Sequence, residues 1–535
     1  MSDTDRQVAN ERRQALLIGV LTLAALALTS IALLAIASAL GSVNLDMISN
    51  PVRWLTELDT DAALATLSNT AEVLAGVLAV AITVVAIVVE LAATRYSHRI
   101  TRLFITEPVN VAVLALFVLT TVQCIWVAAT FEESGQGALL PNAGFGITML
   151  MVTLSLLVLL PYFYFVISFI SPLSIIQKLR NNAYRYLRKT RDHNVPRMQR
   201  ATLVAIDELQ DVGRSAVDQS DTRIAMATVD ALAELLLDYI KVRGELPDRW
   251  FEIDNTISRD PDFVSLAPSA LDEIREAGLW FEVKVMRQYL SLVNQTIPHA
   301  RDVANVIAIN TERIGIAAGE ANPSLLTLCI RCFNSYLRAA IRASDPRTAY
   351  YVMNQYRLLA EALLNQRQFD AVKEIGEHFR YYATFSHSLG ESFLLEVAAH
   401  DIIQLIEEAV RRNSPIVDDL IELLLDLDQE IRSETQADSL LSVRRAQMKL
   451  ATFFLELGDN VRVSRIVEDL KDEKIERLEA IRDALLGEER PHYWEFTDRG
   501  VNFSYLAPER RQYLEPLLEL VAPGRQRFWD ETRNV

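Results

Sequence analysis

Four long apolar runs dominate the first third of the chain and predict its architecture. They lie at residues 15–40, 71–93, 109–130 and 147–170, and each has roughly the 20 residues that a helix needs to cross a bilayer. Lys and Arg follow the second and fourth runs, whereas the connections after the first and third runs are acidic. By the positive-inside rule, this asymmetry predicts a transmembrane domain of four helices at 1–170 with both termini in the cytoplasm.

Residues 171–191 predict a basic helix directly after the last span. Its Leu173, Ile176, Leu179 and Leu187 alternate with cations, a pattern typical of helices that lie on anionic headgroups. A solvated stem leading into the next domain is the alternative, and the pattern does not decide between them. The cations expected at the membrane surface, in this helix and after the second span, are Arg95, Arg99, Arg102, Lys178, Arg180, Arg185, Arg188 and Lys189.

Residues 192–535 predict a large cytosolic domain of helices, so the fold class is all-α. Two segments, 358–379 and 450–470, resemble tetratricopeptide-type helix-turn-helix pairs. Their turns are some 92 residues apart, which is no multiple of the ~34-residue tetratricopeptide period. We therefore expect a bundle or an irregular α-solenoid, a surface that typically binds protein partners.

One face of the second span carries small and polar residues at helical spacing. These six candidates for a pore or an interface are Glu72, Gly76, Ala79, Thr83, Ala86 and Glu90. In one interpretation they form a water-lined or inter-subunit face whose acids mark the two mouths of a cation path. In the other, small residues allow close helix packing and the glutamates reach the headgroups. The pore interpretation requires that this face be turned away from acyl chains.

Charge and motif content disfavour nucleic acid as a partner and an enzymatic function. The net charge is −17, which argues against nucleic-acid binding. Phosphate-binding glycine loops and metal-binding histidine motifs do not occur, and the single pair Cys329 and Cys332 is weak as a zinc signal. We expect no metal, no cofactor and no catalytic site. The helix start at Ser344, Asp345 and Arg347 predicts a cap or, as the alternative, an anion site.

The stretch VVELAATRYSHRITRLFITEPVNVAVLALFVLTTVQC, residues 88–124, resembles a bacterial family of predicted membrane proteins of unknown function, domain-of-unknown-function family twenty-two fifty-four. Family members have a small-residue helix, a Ser-Pro-Arg turn and an Asn-Val stretch that opens the next span. Here the turn is Ser97-His98-Arg99, and Glu90 stands where glutamine is expected. The resemblance implies a multi-pass protein of the bacterial inner membrane and brings no known chemistry.

Two functions follow from these patterns. The first is a homo-oligomeric, cation-permeable channel regulated by its helical domain. The second is a membrane-anchored scaffold or sensor that does not conduct and whose helical domain binds protein partners. Anionic lipid headgroups are expected to contact the chain in both.

Overall fold

The computed structural model describes residues 60–95, 107–133, 139–297, 299–390, 392–427, 437–492 and 499–523. Every regular element in these ranges is a helix, which confirms the all-α class. The chain divides into two compact units, Met1–Leu179 and Arg180–Val535.

The first unit contains three long apolar helices: α1 (Thr60–Arg95), α2 (Pro108–Glu133) and α3 (Leu139–Ile170). Each includes a segment long and apolar enough to cross a membrane. The described residues thus contain three spans where we predicted four, and the predicted span at 15–40 lies outside them. Both α1 and α3 also begin earlier than predicted: α1 includes the polar residues 60–70, and α3 includes residues 139–146, whose Pro141, Gly144 and Gly146 are typical of loops.

The three helices pack around a common apolar core that also contains polar contacts between helices. Leu67, Phe117 and Val166 are buried in this core. The hydroxyls of Thr120 and Ser155 lie 3.0 Å apart, and Tyr162 donates a 2.5 Å hydrogen bond to Asn110. Pro161 lies inside α3, as predicted.

Helix α4 (Pro172–Lys189) follows, and the boundary between the units falls within it. The second unit then contains seventeen further α-helices among its described residues. They are α5 (Val195–Asp218), α6 (Thr222–Val242), α7 (Asn255–Ser258), α8 (Pro261–Val264), α9 (Pro268–Ala277), α10 (Trp280–Thr296), α11 (Arg301–Ala321), α12 (Pro323–Arg342), α13 (Pro346–Asn365), α14 (Phe369–Ser388), α15 (Phe393–Arg411), α16 (Val417–Leu425), α17 (Ala437–Leu457), α18 (Asn460–Leu470), α19 (Ile475–Gly487), α20 (Pro508–Arg511) and α21 (Leu514–Val521). Short 3₁₀ helices lie at Asp192–Asn194, Arg243–Glu245 and Asp248–Phe251.

These helices stack in two layers. One layer runs α6, α11, α13, α15, α17, and the other runs α5, α10, α12, α14, α16, with each helix contacting the next in its layer. Helices α11 to α18 form four successive pairs whose internal turns fall at Asn322, Arg367, Asn413 and Gly458, at intervals of 45, 46 and 45 residues. The last three turns have φ of 59°, 51° and 71°, the left-handed conformation that ends many helices.

Residues 243–279, the long connection between α6 and α10, form ion pairs with a buried lysine. Lys284 on α10 contacts Asp260 at 2.8 Å, Asp262 at 2.7 Å and Asp207 of α5 at 2.6 Å. Trp250 of the same connection is fully buried and accepts a 2.6 Å hydrogen bond from Trp280 at its carbonyl oxygen. The connection therefore belongs to the core of the stack.

Candidate functional site

The predicted face of α1 is on the outside of the first unit. Glu72, Gly76, Ala79, Thr83, Ala86 and Glu90 are all exposed. A Cβ at Gly76 would meet no atom within 4 Å, and the Thr83 hydroxyl donates to the carbonyl of Ala79 at 2.8 Å in its own helix. The structure therefore places the six residues along one exposed side of one helix.

The opposite side of α1 makes its packing contacts. Leu67, Leu74 and Val85 are buried there. Within the described ranges, no ion pair involves Glu72 or Glu90, which at 1.5 Å per residue stand about 27 Å apart, close to the thickness of a bilayer core. The small residues thus do not serve packing among the described helices of one chain.

The basic helix α4 turns most of its apolar side inward. Ile176, Leu179 and Leu187 are buried, while Leu173 is exposed. Several of the predicted surface cations pair with carboxylates of the chain itself: Lys178 with Glu107 at 3.3 Å, Arg180 with Asp238 at 2.5 Å and Arg188 with Glu245 at 3.2 Å. Arg185 and Lys189 are exposed, Arg95 ends α1, and Arg99 and Arg102 lie outside the described residues.

The candidate anion site is a helix cap. Asp345 is buried and accepts hydrogen bonds from the Thr348 amide at 3.2 Å and hydroxyl at 2.9 Å. Arg301 pairs with the same carboxylate at 2.8 Å. Ser344, at φ 50°, forms the turn before it, and Arg347 follows in the first turn of α13. The chain's own carboxylate therefore occupies the position where an anion would bind.

A site that the sequence analysis did not include lies where the C-terminal residues 499–506, hereafter the arm, cross one layer of the stack. Arg499 donates to Asp401 of α15 at 2.5 Å and to the carbonyl of Tyr350 of α13 at 2.8 Å. Its guanidinium lies 4.2 Å from the centre of the Tyr350 ring. The side chains of Arg499 and Asp401 are only 4% and 0% exposed, so this ion pair is taken out of water.

Phe503 is the second anchor of the arm. Its side chain is buried, with its ring 4.3 Å from that of His400. Lys449 of α17 donates to the Phe503 carbonyl at 3.1 Å, and Arg445 donates to the Ser504 hydroxyl at 2.6 Å. We call the surface of α13, α15 and α17 that holds these residues the arm groove.

Burial and charge shape the titration of the arm groove. Burial raises the pKa of Asp401, but the charges of Arg499 and Arg357 and the hydrogen bond from Arg499 outweigh burial and lower it. Burial lowers the pKa of Lys449 to about 8 and also lowers that of His400. The arm groove can therefore bind a cation through the carboxylate of Asp401 and an aromatic ring beside His400. The amine of Lys449 donates a hydrogen bond to the backbone of the bound segment.

The environment of the cysteine pair does not favour metal binding or thiol chemistry. Cys329 and Cys332 are both free and buried, and burial raises the pKa of Cys332 to about 12. A thiol of this kind carries almost no thiolate at neutral pH.

Comparison with known proteins bears on the N-terminal part of the chain. Residues 21–236 match the family model described as "Predicted membrane protein (DUF2254)", which confirms the resemblance seen in the sequence. None of the curated proteins is similar enough to match the chain. A solved "Circular tandem repeat protein with novel repeat topology and enhanced subunit contact surfaces" aligns at 16% identity over 69% of this chain and 84% of that chain, with a TM-score of 0.33. A score of this size does not establish a shared fold.

Proposed function

We propose that this chain, whose residues 21–236 match the model of a family of predicted membrane proteins, is a membrane-anchored scaffold whose helical domain holds non-helical peptide segments in the arm groove. The observation that carries the proposal is that the groove already holds such a segment, the arm. A layer of helices that accommodates a non-helical segment of its own chain, with a turn at Phe503 and Ser504, has the shape and chemistry to accommodate one from a partner.

The contacts of the arm indicate which segments the groove would select. The carboxylate of Asp401 requires a cation at the position of Arg499, and the slot beside His400 requires an aromatic ring four residues later, at the position of Phe503. Lys449 bonds to a backbone carbonyl, a group that a peptide of any sequence supplies. The predicted orientation would place this groove in the cytoplasm of a bacterium.

The experiment uses the full chain in lipid nanodiscs and a fluorescent peptide with the sequence of the arm, RGVNFSYL. In wild type the groove is occupied and we expect weak binding. The double variant R499A F503A releases the arm and should bind the peptide at least tenfold more tightly. Adding Asp401→Asn to that variant removes the carboxylate and should return the affinity to the wild-type level.

A peptide with alanine in place of its arginine is the matched control for the ligand. If the arm-released variant binds neither peptide, or if Asp401→Asn leaves binding unchanged, the groove does not recognise segments of this kind. The membrane anchor is tested separately, since α1 to α3 should keep every variant in the membrane fraction.

A second candidate, the cation channel, is favoured by one observation: Glu72, Thr83 and Glu90 lie exposed along α1. Carboxylates facing acyl chains are costly, and copies that pack through α1 would cover this face and place the acids around a common path. We expect a homo-oligomer whose cation flux in liposomes falls with Glu90→Gln and with Thr83→Leu. A monomer, or flux indifferent to both changes, would leave the face turned to lipid and end the channel hypothesis.

A further inference from the structure

A cleft between α12 and α14 has the chemistry of an anion site. It has a volume of about 500 Å³ and is lined by seven residues, none of them acidic. Its hydrogen-bonding groups include the side chains of Arg331, Asn334, Arg338, His378, Tyr381 and Tyr382. In a chain with a net charge of −17, a cleft walled by two guanidinium groups and phenol, amide and imidazole groups is unusual. Its size lies within the range of small-molecule sites.

The two arginines of the cleft differ in how their charges are balanced. Arg331 forms a forked pair with Glu273, at 2.8 Å and 3.1 Å. Arg338 has no carboxylate partner within the described ranges. Its guanidinium lies 6.0 Å from the Tyr381 ring and 5.9 Å from the Phe385 ring, and hydrogen bonds with Tyr382 and Tyr381 raise its pKa. Arg338 therefore presents an uncompensated positive charge to the cleft.

The polar groups near Arg338 are held in place by the layer beneath them. Asn334 lies 3.3 Å from the His378 ring nitrogens, and Tyr356 lies 3.0 Å from His378 Nδ1. Burial lowers the pKa of His378, so the imidazole is neutral at pH 7 and can accept as well as donate. The cleft floor is thus a fixed hydrogen-bonding network that costs little to organise around a ligand.

An aromatic surface adjoins this network. Tyr381 is 49% exposed and stacks parallel to Phe385, with ring centres 6.3 Å apart. Tyr382 meets Tyr381 edge to face at 5.0 Å. The exposed Tyr381 ring can receive a flat ring from solvent, while Arg338 and the Tyr382 hydroxyl receive negatively charged oxygens.

We propose that this cleft binds a small ligand that joins a phosphate to a flat aromatic ring, the chemistry of a nucleoside monophosphate. Arg338 and the Tyr382 hydroxyl hold the phosphate, Asn334 donates to it, and Tyr381 stacks on the ring. This site lies in the layer opposite the arm groove and shares no residue with it, so the proposal is independent of the scaffold function.

The test is calorimetric titration of the full chain in nanodiscs with adenosine monophosphate, adenosine and inorganic phosphate. We expect adenosine monophosphate to bind more tightly than either part alone. Arg338→Met should weaken binding about 10- to 100-fold, the effect of losing a charge-assisted hydrogen bond. Arg342→Met, an exposed arginine on the same helix, is the matched control and should bind as wild type.

Tyr381→Ala separates the two halves of the ligand. It should lower the affinity for adenosine monophosphate to that for inorganic phosphate and leave the affinity for inorganic phosphate unchanged. Thermal unfolding confirms that each variant is folded. The proposal is overturned if adenosine monophosphate does not bind at millimolar concentration, if Arg338→Met and Arg342→Met bind alike, or if Tyr381→Ala leaves nucleotide binding unchanged.

Discussion

The ion pair between Arg499 and Asp401 is the contact on which the arm most depends, and Arg499→Met tests it. Methionine keeps an apolar stem against Tyr350 but removes the charge. Because Asp401 is fully buried, leaving its carboxylate with Arg357 alone, at 3.5 Å, would cost up to about 3–5 kcal/mol. The arm can avoid this cost by leaving its groove, which forfeits the burial of Phe503, about 1.5–3 kcal/mol. Whichever of these two costs is smaller determines the loss of stability, so we expect the free energy of unfolding to fall by about 2–3 kcal/mol.

Thermal unfolding of the full chain in nanodiscs, followed by circular dichroism, measures this loss. At roughly 2–3 °C per kcal/mol for a large domain, the Tm should fall by about 4–9 °C. The double variant D401N R499M removes both charges and should lie closer to wild type than the two single losses added together. Strictly additive losses, or a Tm change under about 1 °C for Arg499→Met, would refute the idea that a buried ion pair holds the arm.

The pH dependence of the same pair has a definite sign. The pKa of Asp401 is lowered in the folded state. The carboxylate therefore contributes fully to the free energy of unfolding above the ordinary aspartate pKa of about 3.9, and this contribution is lost as the pH falls through the lower pKa of the folded state. The arm should therefore stay docked at pH 5, and hydrogen exchange of residues 499–506 should increase only in stronger acid.

Three further predictions concern buried charges elsewhere in the stack. Burial raises the pKa of Glu282 to about 7, so its contribution to the free energy of unfolding is present below about pH 4.5 and is lost as the pH rises to 7. In Glu282→Gln, the decrease of Tm between these two pH values should be smaller than in wild type. The pKa of Lys449 is lowered to about 8, so stability should increase from pH 8 to about 10, and Lys449→Met should flatten that rise. Lys284→Met leaves three carboxylates without their shared cation and should cost about 3–5 kcal/mol in chemical unfolding; an unchanged midpoint would show that water already screens them.

The helices were the most predictable part of the structure because their periodicity is local. The two segments at 358–379 and 450–470 do contain helix-turn-helix pairs, at the turns of Arg367 and Gly458. Their separation of some 92 residues is close to twice the interval of 45 or 46 residues between successive pairs. Because this separation is no multiple of the ~34-residue tetratricopeptide period, it did not by itself indicate a regular interval. The early start of α1 was missed because polar residues can extend an apolar helix, and that of α3 because Pro141, Gly144 and Gly146 resemble a loop.

The arm groove could not be read from the sequence in the same way. Asp401 and Arg499 are 98 residues apart, and no local pattern links them. A partial signal exists, since Asp401 interrupts the mainly apolar residues 397–406 of α15, and a buried acid needs a partner. The identity of the partner depends on tertiary packing. The six residues predicted on one face of α1 lie on its exposed side among the described residues, and the sequence does not say what packs against them.

The regular interval between helix pairs has a consequence for how the chain can change in length. Because each helix from α11 to α17 contacts mainly its neighbours, a whole pair can be inserted or removed with new interfaces needed only at the two junctions. The arm spans three consecutive helices of one layer, so an insertion before α13 would leave the arm groove intact, whereas one between α13 and α17 would move Tyr350 out of reach of Arg499. Natural length variation in such proteins should therefore fall N-terminal to α13.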